Sequence, residues 1–595
     1  MSGEVIPFGA LDYVVFAALL VVSASTGVYH ALVKGGQRTT SRYLLADSGM
    51  KGIPVAMSMA VSFLSPITIL GGPAEIYGHG ITYIFHAFSC LWIFPVVAFL
   101  FVPVFYGLKL KTSYEYLDLR FNYPLRLFAS ALFVLQQAFY MAICLLGPAL
   151  AFGAVQGFAL WKGLVITGIV CTFYTVIGGL KAVIWVDVFQ CLVMIVSVIT
   201  FLVLGTVKAG GPTFVWDYNV VHGRLDVDFS FDPTARMTFM NTLFGTGMLF
   251  LSFTVGQTSV QRYASTKSLK QAKLSALFNI PLWFFFMFCF NLTGFVLFAF
   301  YNDIPSVLEP AINATFPPDI WGNSSFGYAN VDPRYSPNYG SPDQILVYFV
   351  SSQLGRIQGI QGLFIACVTA GTLSSVSSSI NAMTSVTLQD FIKPFREWRA
   401  RRDQLKNEAG HITQSNDARD TLLSKIMSCI YGLSGIGLAY LASSLGTLIT
   451  VAVILAGTTG GPMTAPFLTG MLYKRANGSG MLVGSVAGFC FGLWVAIGSF
   501  VYRDVIHEVW ALYRISSMWY TMFTCLVAII VGVIASEIFR LFNKHEREAV
   551  IDPSLLATCL RPKNWQPVPD EPKLLNEPLE KKGEVPLAKE EETFL

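Results

Sequence analysis

Along the chain, long apolar runs alternate with short polar stretches. A helix needs about 20 apolar residues to cross a hydrocarbon core of roughly 30 Å, and the runs fit about thirteen such helices. They cover residues 10–33, 53–78, 81–108, 124–155, 160–180, 184–208, 237–262, 274–302, 344–390, 423–443, 445–472, 480–502 and 515–542, the ninth with a break near Gly355–Gly359. The pattern predicts an all-α polytopic membrane protein. Basic residues follow the odd-numbered spans. Lys34, Arg38, Arg42 and Lys51 follow the first, and Lys109, Lys111 and Arg120 the third. Lys267, Lys270 and Lys273 follow the seventh, five Lys and Arg from Lys393 to Arg402 the ninth, and Lys474 and Arg475 the eleventh. Cytoplasmic loops carry the excess of Lys and Arg, so the N-terminus is expected outside and the C-terminus inside.

The second run cannot be one continuous helix. Within Ser62–Glu75, Pro66 lacks an N–H and clashes with the carbonyl four residues back, so a helix entering at Pro54 should break near Ser65. A new helix can start there, with Ser65 as N-cap and Pro66 at the first position. Carbonyls freed from Val61 to Leu64 suit a cation, and N–H groups freed from Ile67 onward suit an anion. Two readings fit: a proline kink without a ligand, or a discontinuous helix of the kind that holds substrate and ion in secondary transporters.

In the ninth run, Gly371, Ser374, Ser375 and Ser378 recur at the spacing of one helical face, with Ser379 off it. Hydroxyls plus an approachable glycine carbonyl suit a hard monovalent cation such as sodium. Small residues in membrane helices also mark close packing, and both readings can hold together. Asp187 lies well inside the sixth span, where an ionisable group costs roughly 2.5–3.5 kcal/mol and needs a cavity or a partner. It is either on an ion path or in a salt bridge, with Arg262 as a partner. Glu75 falls near the outer surface, and His86 early in the third span is either a packing residue or an anion partner.

Composition narrows the function. The 595 residues are 54% hydrophobic and 13% charged, which excludes an ordinary soluble protein. The net charge of +4 points to no nucleic-acid partner. Nine of the ten cysteines lie in apolar runs and the tenth is Cys559, so no disulfide framework is expected in loop 303–343. The seven histidines show no zinc spacing, and no nucleophile–base motif appears, so the chain is not expected to be an enzyme. Acidic Glu4 and Asp12 precede the first run, which therefore reads as a retained span rather than a signal peptide. Loop 303–343 carries glycosylation sequons at Asn313 and Asn323. The tail from Asn543 is rich in Lys, Glu and Pro and reads as disordered. Its ending, Thr593-Phe594-Leu595, fits capture by a PDZ protein.

Several stretches, taken in order, resemble the sodium/solute symporter family, in its branch of sodium-coupled monocarboxylate, multivitamin and iodide transporters. They are Ser62-Phe-Leu-Ser65, Leu70-Gly-Gly-Pro-Ala-Glu-Ile-Tyr77, Pro103-Val-Phe-Tyr106, Ser113-Tyr-Glu-Tyr-Leu-Asp-Leu-Arg-Phe121, Gly178-Gly-Leu-Lys-Ala-Val-Ile-Trp-Val-Asp-Val-Phe-Gln190, Val260-Gln-Arg-Tyr263, Gly362-Leu-Phe-Ile-Ala-Cys367, Gly371-Thr-Leu-Ser-Ser375 and Gly460-Gly-Pro462. The resemblance implies a LeuT-type core of two inverted five-helix repeats, 53–208 and 237–472. Around them fall the N-terminal end and first span (1–52), an extracellular loop (209–236), two C-terminal spans (473–542) and the cytoplasmic tail (543–595).

It also implies a sodium site made by the carbonyls of Val61, Leu64 and Gly371 and the hydroxyls of Ser374 and Ser375, with sodium as coupling ion and no other cofactor. The implied substrate pocket involves Phe63, Thr68, His86, Cys90 and Tyr140, with Asp187 on the ion path. Thr68 looks like the monocarboxylate members, where the iodide transporter has glutamine. Two departures stand out: Pro66 replaces a small residue, and Leu251-Ser-Phe-Thr-Val-Gly-Gln257 replaces a Tyr-Gly-Val-Asn-Gln run, leaving a second sodium site open. The expected function is sodium-coupled import of a small organic anion, most simply a monocarboxylate, by alternating access at the plasma membrane. A vitamin or inorganic anion carrier, and a sodium-gated channel or solute sensor, are the alternatives.

Overall fold

A computed structural model of the chain describes residues 6–32, 40–156, 159–301, 342–406, 417–443, 448–502, 510–542 and 551–562. Loop positions Asn313 and Asn323 and the terminal Thr593, Phe594 and Leu595 lie outside the described residues. Among the described residues the structure is helical, with one isolated β-bridge, Met50 to Thr266. Among the described residues nine helices are long and apolar enough to cross a membrane, or up to 11 if each of two bent pairs is one span. That measure falls short of about thirteen spans partly because Leu160–Lys208 counts once. Its 49 residues would make a rod of about 73 Å, more than twice the hydrocarbon thickness. Gly179, at φ 61°, breaks it into two arms, close to the expected turn between the fifth and sixth runs.

The elements used below are α1 (Ala10–Leu32), the pair α2 (Gly52–Phe63) and α3 (Pro66–His79), and α4 (Ile81–Gly107). Next come the short α5 (Glu115–Arg120), α6 (Tyr123–Gln156) and α7 (Leu160–Lys208). The second bent pair is α8 (Asn241–Val255) and α9 (Gln257–Ala264), followed by α10 (Asn279–Tyr301), α11 (Ile360–Val386) and α12 (Asp417–Ala442). The last three are α13 (Leu448–Leu472), α14 (Gly478–Val501) and α15 (Tyr520–Phe542).

α11 is the axis of the bundle. It packs along α6 and α7, and nearly every residue from Phe364 to Val386 is buried. A helix buried all round must satisfy its polar side chains inside the protein. The expected ninth run is two elements: a short apolar helix, Ile345–Leu354, and α11 itself, separated at Gly359 (φ +86°). Asp12 in the first turn of α1 accepts the Gly362 N–H at 2.8 Å, placing a carboxylate at the start of α11, where the helix dipole favours it.

The break at Pro66 is where the sequence puts it. α2 ends at Phe63, Ser65 is extended (φ −77°, ψ 168°), Pro66 opens α3, and the two axes bend by 58°. Gly147 of α6 lies directly against the Pro66 ring, leaving no room for a side chain there. At the far end, Arg224 donates to the Ile76 carbonyl at 2.7 Å, and also to those of Tyr77 and Gly78, satisfying the last turn of α3. The second break was not expected. α8 and α9 bend by 50° at Gly256, which is extended at φ −70°, ψ 165°. Both bends open the segments expected to be the two repeats.

Two devices cross-link the side of the bundle that carries the basic loops. Asp390 Oδ1 accepts from Arg126 Nε (3.0 Å) and Nη2 (2.5 Å) and from Thr112 Oγ1 (2.8 Å), while Oδ2 accepts from Ser130 (2.9 Å). Gln257 joins the Ser113 N–H (2.7 Å) to Ser385 Oγ (3.3 Å). A cavity of ≈ 210 Å³ beneath them is lined by Leu44, Lys111, Ser385 and Gln389. The tail departs from its expected disorder. Residues 551–562 form two short 3-10 turns in which Leu555, Leu556 and Ala557 are buried. The Tyr116 hydroxyl donates to the Leu555 carbonyl at 3.0 Å, and the Ala557 N–H to that of Met471 at 3.1 Å. The few apolar residues of this short stretch carry too little periodic pattern for the strap to be read from sequence.

Candidate functional site

The broken pair α2–α3 faces the serine-rich stretch of α11. Gly371 makes the approach possible: a Cβ there would stand 2.8 Å from the Leu64 carbonyl oxygen and 3.0 Å from Ile69 Cδ1. Ser375 donates to the Ser62 carbonyl at 3.3 Å, and Ser62 Oγ lies 3.0 Å from both Ser374 Oγ and Ser378 Oγ. The expected ligands Val61, Leu64, Gly371, Ser374 and Ser375 are thus brought into one buried neighbourhood. The Ser374 and Ser375 hydroxyls each direct their single proton to a protein acceptor and keep lone pairs for a cation. The donor set is all oxygen, which suits a hard ion. Among the described residues no cluster of His, Cys, Asp and Glu offers an alternative metal site.

Arg262, delivered by α9, closes this cluster from below. Its Nη2 donates to Ser62 Oγ (2.6 Å), Ser378 Oγ (2.5 Å) and Asp187 Oδ2 (3.2 Å). Nε donates to Ser58 Oγ (2.8 Å), which itself donates to Asp187 Oδ2 (2.6 Å), and Nη1 donates to the Thr258 carbonyl (2.8 Å). Asp187 is therefore in a buried salt bridge with Arg262, the second of the two readings its position allowed. Its Oδ1 is buried and makes no hydrogen bond.

Above the serine cluster lies a cavity of ≈ 90 Å³. Four of the five expected substrate residues, Phe63, Thr68, His86 and Tyr140, line it. Cys90 does not: its thiol turns toward the Ile280 carbonyl of α10 at 3.9 Å. His86 is on the wall but engaged, with Nδ1 2.5 Å from the Tyr83 carbonyl and Nε2 3.0 Å from Met287 Sδ. A carbonyl and a thioether both only accept, so both ring nitrogens already point at protein acceptors, which makes this imidazole a poor anion donor. Tyr140 lines the cavity together with Ser65 and Ser375, joining its wall to the serine cluster.

The first turn of α3 is less open to an anion than its sequence implied. The Thr68 and Ile69 N–H groups both close on the Ser65 carbonyl, at 2.9 and 3.2 Å. Gln137 and Ser379 are wall residues that sequence reasoning missed or misplaced. Ser379, expected on another face, donates to Gln137 Oε1 at 2.8 Å. A polar residue in the middle of the fourth run was the available signal for Gln137. Phe250 and Phe253, from the helix that ends at the unexpected Gly256 bend, complete the apolar part of the wall.

The model of one family, the sodium:solute symporter family, matches residues 43–488, most of the chain and all the elements that build this site. The chain belongs to that family. Within it, the chain is 38% identical over 497 residues to the human sodium-coupled monocarboxylate transporter 1, covering 83% of this chain and 74% of that one. It is 37% identical over 498 residues to the sodium-dependent multivitamin transporter of Oryctolagus cuniculus, covering 83% and 71%. In three dimensions it resembles a substrate-bound, outward-open Na⁺-coupled sialic acid symporter, with TM-score 0.70, 24% identity and coverage of 89% of this chain and 98% of the other. The family's fold therefore extends over nearly all of both chains.

Proposed function

We propose that this protein imports a small monocarboxylate together with sodium by alternating access. The observation that carries the reading is the ≈ 90 Å³ cavity between the helix broken at Pro66 and the serine face of α11. At roughly 10–15 Å³ for each, that is room for several water molecules. A space of that size favours a compact solute such as lactate, pyruvate or butyrate over the longer biotin or pantothenate. Identity to the monocarboxylate and multivitamin relatives is nearly equal, and the small cavity is what supports the smaller solute.

In this reading sodium is held by the carbonyls of Val61, Leu64 and Gly371 and the hydroxyls of Ser374 and Ser375. It fixes α2–α3 against α11 and adds positive charge beside the Arg262 guanidinium, which also lines the cavity. The carboxylate lies near Thr68 and Tyr140 above the ion, and sodium leaves past Asp187 when its pair with Arg262 opens. The reading also has the N-terminus outside, glycans at Asn313 or Asn323, the basic loops and tail inside, and a PDZ protein at Thr593–Leu595. Deleting those last residues should alter localisation and leave transport per molecule unchanged. Sodium-dependent uptake of labelled lactate, pyruvate, butyrate, biotin and iodide is the test. Saturable lactate or butyrate uptake supports the reading. Saturable biotin uptake that lactate does not compete with rejects it.

A further inference from the structure

A separate cavity opens on the basic-loop side, away from the serine cluster and its ions. It encloses ≈ 560 Å³ and is lined by Tyr29 of α1, Lys51 and Pro54 at the start of α2, Lys181 and Trp185 of α7, and Lys267 after α9. Three lysines face it and no acidic residue lines it. Among the described residues none of the three has a salt-bridge partner, and all three are exposed.

The fold holds these charges together rather than leaving them to chance. The Met50 N–H donates to the Ser265 carbonyl at 2.9 Å, and the Lys267 N–H returns to the Met50 carbonyl at 3.1 Å. This short parallel bridge fixes the backbones of Lys51 and Lys267 side by side. The Gly52 N–H, bonded to Gln271 Oε1 at 2.8 Å, secures the next residue. Lys181 arrives from the other side, two residues past the bend at Gly179. Three like charges held in one concavity repel each other, and an anion relieves that repulsion.

The surroundings identify the kind of anion. Trp185 and Tyr29 are 42% and 58% exposed, the aromatic signature of a membrane–water boundary. From Trp185 an exposed apolar stripe, Leu192, Val196, Ile199 and Val203, runs along α7 away from the lysines. A phosphate at the lysines with hydrocarbon along the stripe is the outline of a phospholipid. Under the orientation proposed above, this end of the bundle faces the cytoplasmic leaflet, which carries the anionic lipids.

We propose that this cavity binds the phosphate headgroup of an anionic phospholipid, with its acyl chains along the exposed face of α7. The inference does not depend on which solute is transported. The test measures binding of a fluorescent phosphatidylinositol phosphate to the full-length protein in neutral detergent. Lys51→Gln, Lys181→Gln and Lys267→Gln should each weaken binding by about fivefold. The matching Lys→Arg variants should bind as the native protein does, and Lys474→Gln, a cytoplasmic-side lysine outside the cavity, should have no effect. The headgroup alone, inositol phosphate without acyl chains, should bind much more weakly than the lipid. Undiminished lipid binding by the triple Gln variant overturns the proposal. So does equal affinity for the lipid and for its chain-free headgroup, which makes the cavity a site for soluble anions. Because all three side chains are exposed, an unchanged unfolding temperature of the Gln variants in lipid-free detergent verifies that they are folded.

Discussion

The Arg262 guanidinium lies 3.2 Å from the Asp187 carboxylate, and the same Nη2 reaches Ser62 Oγ at 2.6 Å and Ser378 Oγ at 2.5 Å. One cation thus ties α7, the broken helix, α9 and α11 at a single buried point. Removing one partner of such a pair leaves an uncompensated charge and costs about 3–5 kcal/mol. Asp187→Asn and Arg262→Gln should each lower surface expression and the unfolding temperature, and the double variant should recover stability but not coupled transport. Thermal unfolding in detergent, read beside sodium-dependent uptake, checks both halves. A double variant as unstable as the worse single one would mean the pair is not the coupling element.

Ser374→Ala and Ser375→Ala each remove one oxygen from the expected sodium shell. A ligand lost to a charged group is worth roughly 1.5–3 kcal/mol, so the half-saturating sodium concentration should rise about ten- to a hundredfold. Apparent substrate affinity should fall with it, because linkage is reciprocal. Unchanged sodium dependence at normal surface expression would reduce this face to packing.

Ser379→Ala should raise KM for the solute while leaving sodium dependence near normal. The substitution strands Gln137 Oε1, a buried acceptor 2.8 Å from the lost hydroxyl, at about 1–3 kcal/mol. Initial-rate uptake at saturating sodium separates this outcome from a sodium effect.

Gly371→Ala tests the contact between the two halves of the site. Its methyl would stand 2.8 Å from the Leu64 oxygen, so the broken helix must be pushed away. Overpacking of this kind costs typically 1–3 kcal/mol, and it moves a proposed ligand as well. Sodium-dependent uptake should be abolished, with the protein still reaching the surface. Retained uptake with native sodium affinity would show that α11 and Leu64 need not touch.

Asp390→Asn should loosen the basic-loop side. Arg126, Thr112 and Ser130 all donate to this carboxylate, and charge-assisted bonds are about twice as strong as neutral ones. A cysteine introduced by Ser385→Cys, in the cavity beneath the lock, should then react several-fold faster with an impermeant thiol reagent. An unchanged rate would remove this network from the gating motion.

What the sequence could reveal followed from how local each signal is. Pro66 breaks a helix by its own covalent structure, so that bend is readable from one residue. The bend at Gly256 has no such signature, since glycine permits an extended conformation without enforcing it. The serine face was legible as spacing. Placing Ser379 on another face failed because α11 is surrounded on all sides, so neighbouring positions also meet polar partners such as Gln137. Cys90 and the Arg126–Asp390 lock depend on how separate helices rotate against one another, and no single run encodes that.

The strap at residues 551–562 gives the tail a fixed point of departure. Because Leu555 and Ala557 are bonded to Tyr116 and Met471, anything attached beyond Pro562 is leashed to one spot beside α5 and the end of α13. The remaining chain, residues 563–595, has a contour length of about 115 Å. If a partner takes Leu595, as proposed, this anchor keeps it beside its own transporter, at an effective concentration set by the attachment rather than by the cell. A pull on that leash is delivered to the loops that the Arg120 guanidinium staples to the carbonyls of Gly470 and Ala476, so mechanical load from a scaffold would reach the transport core through this corner.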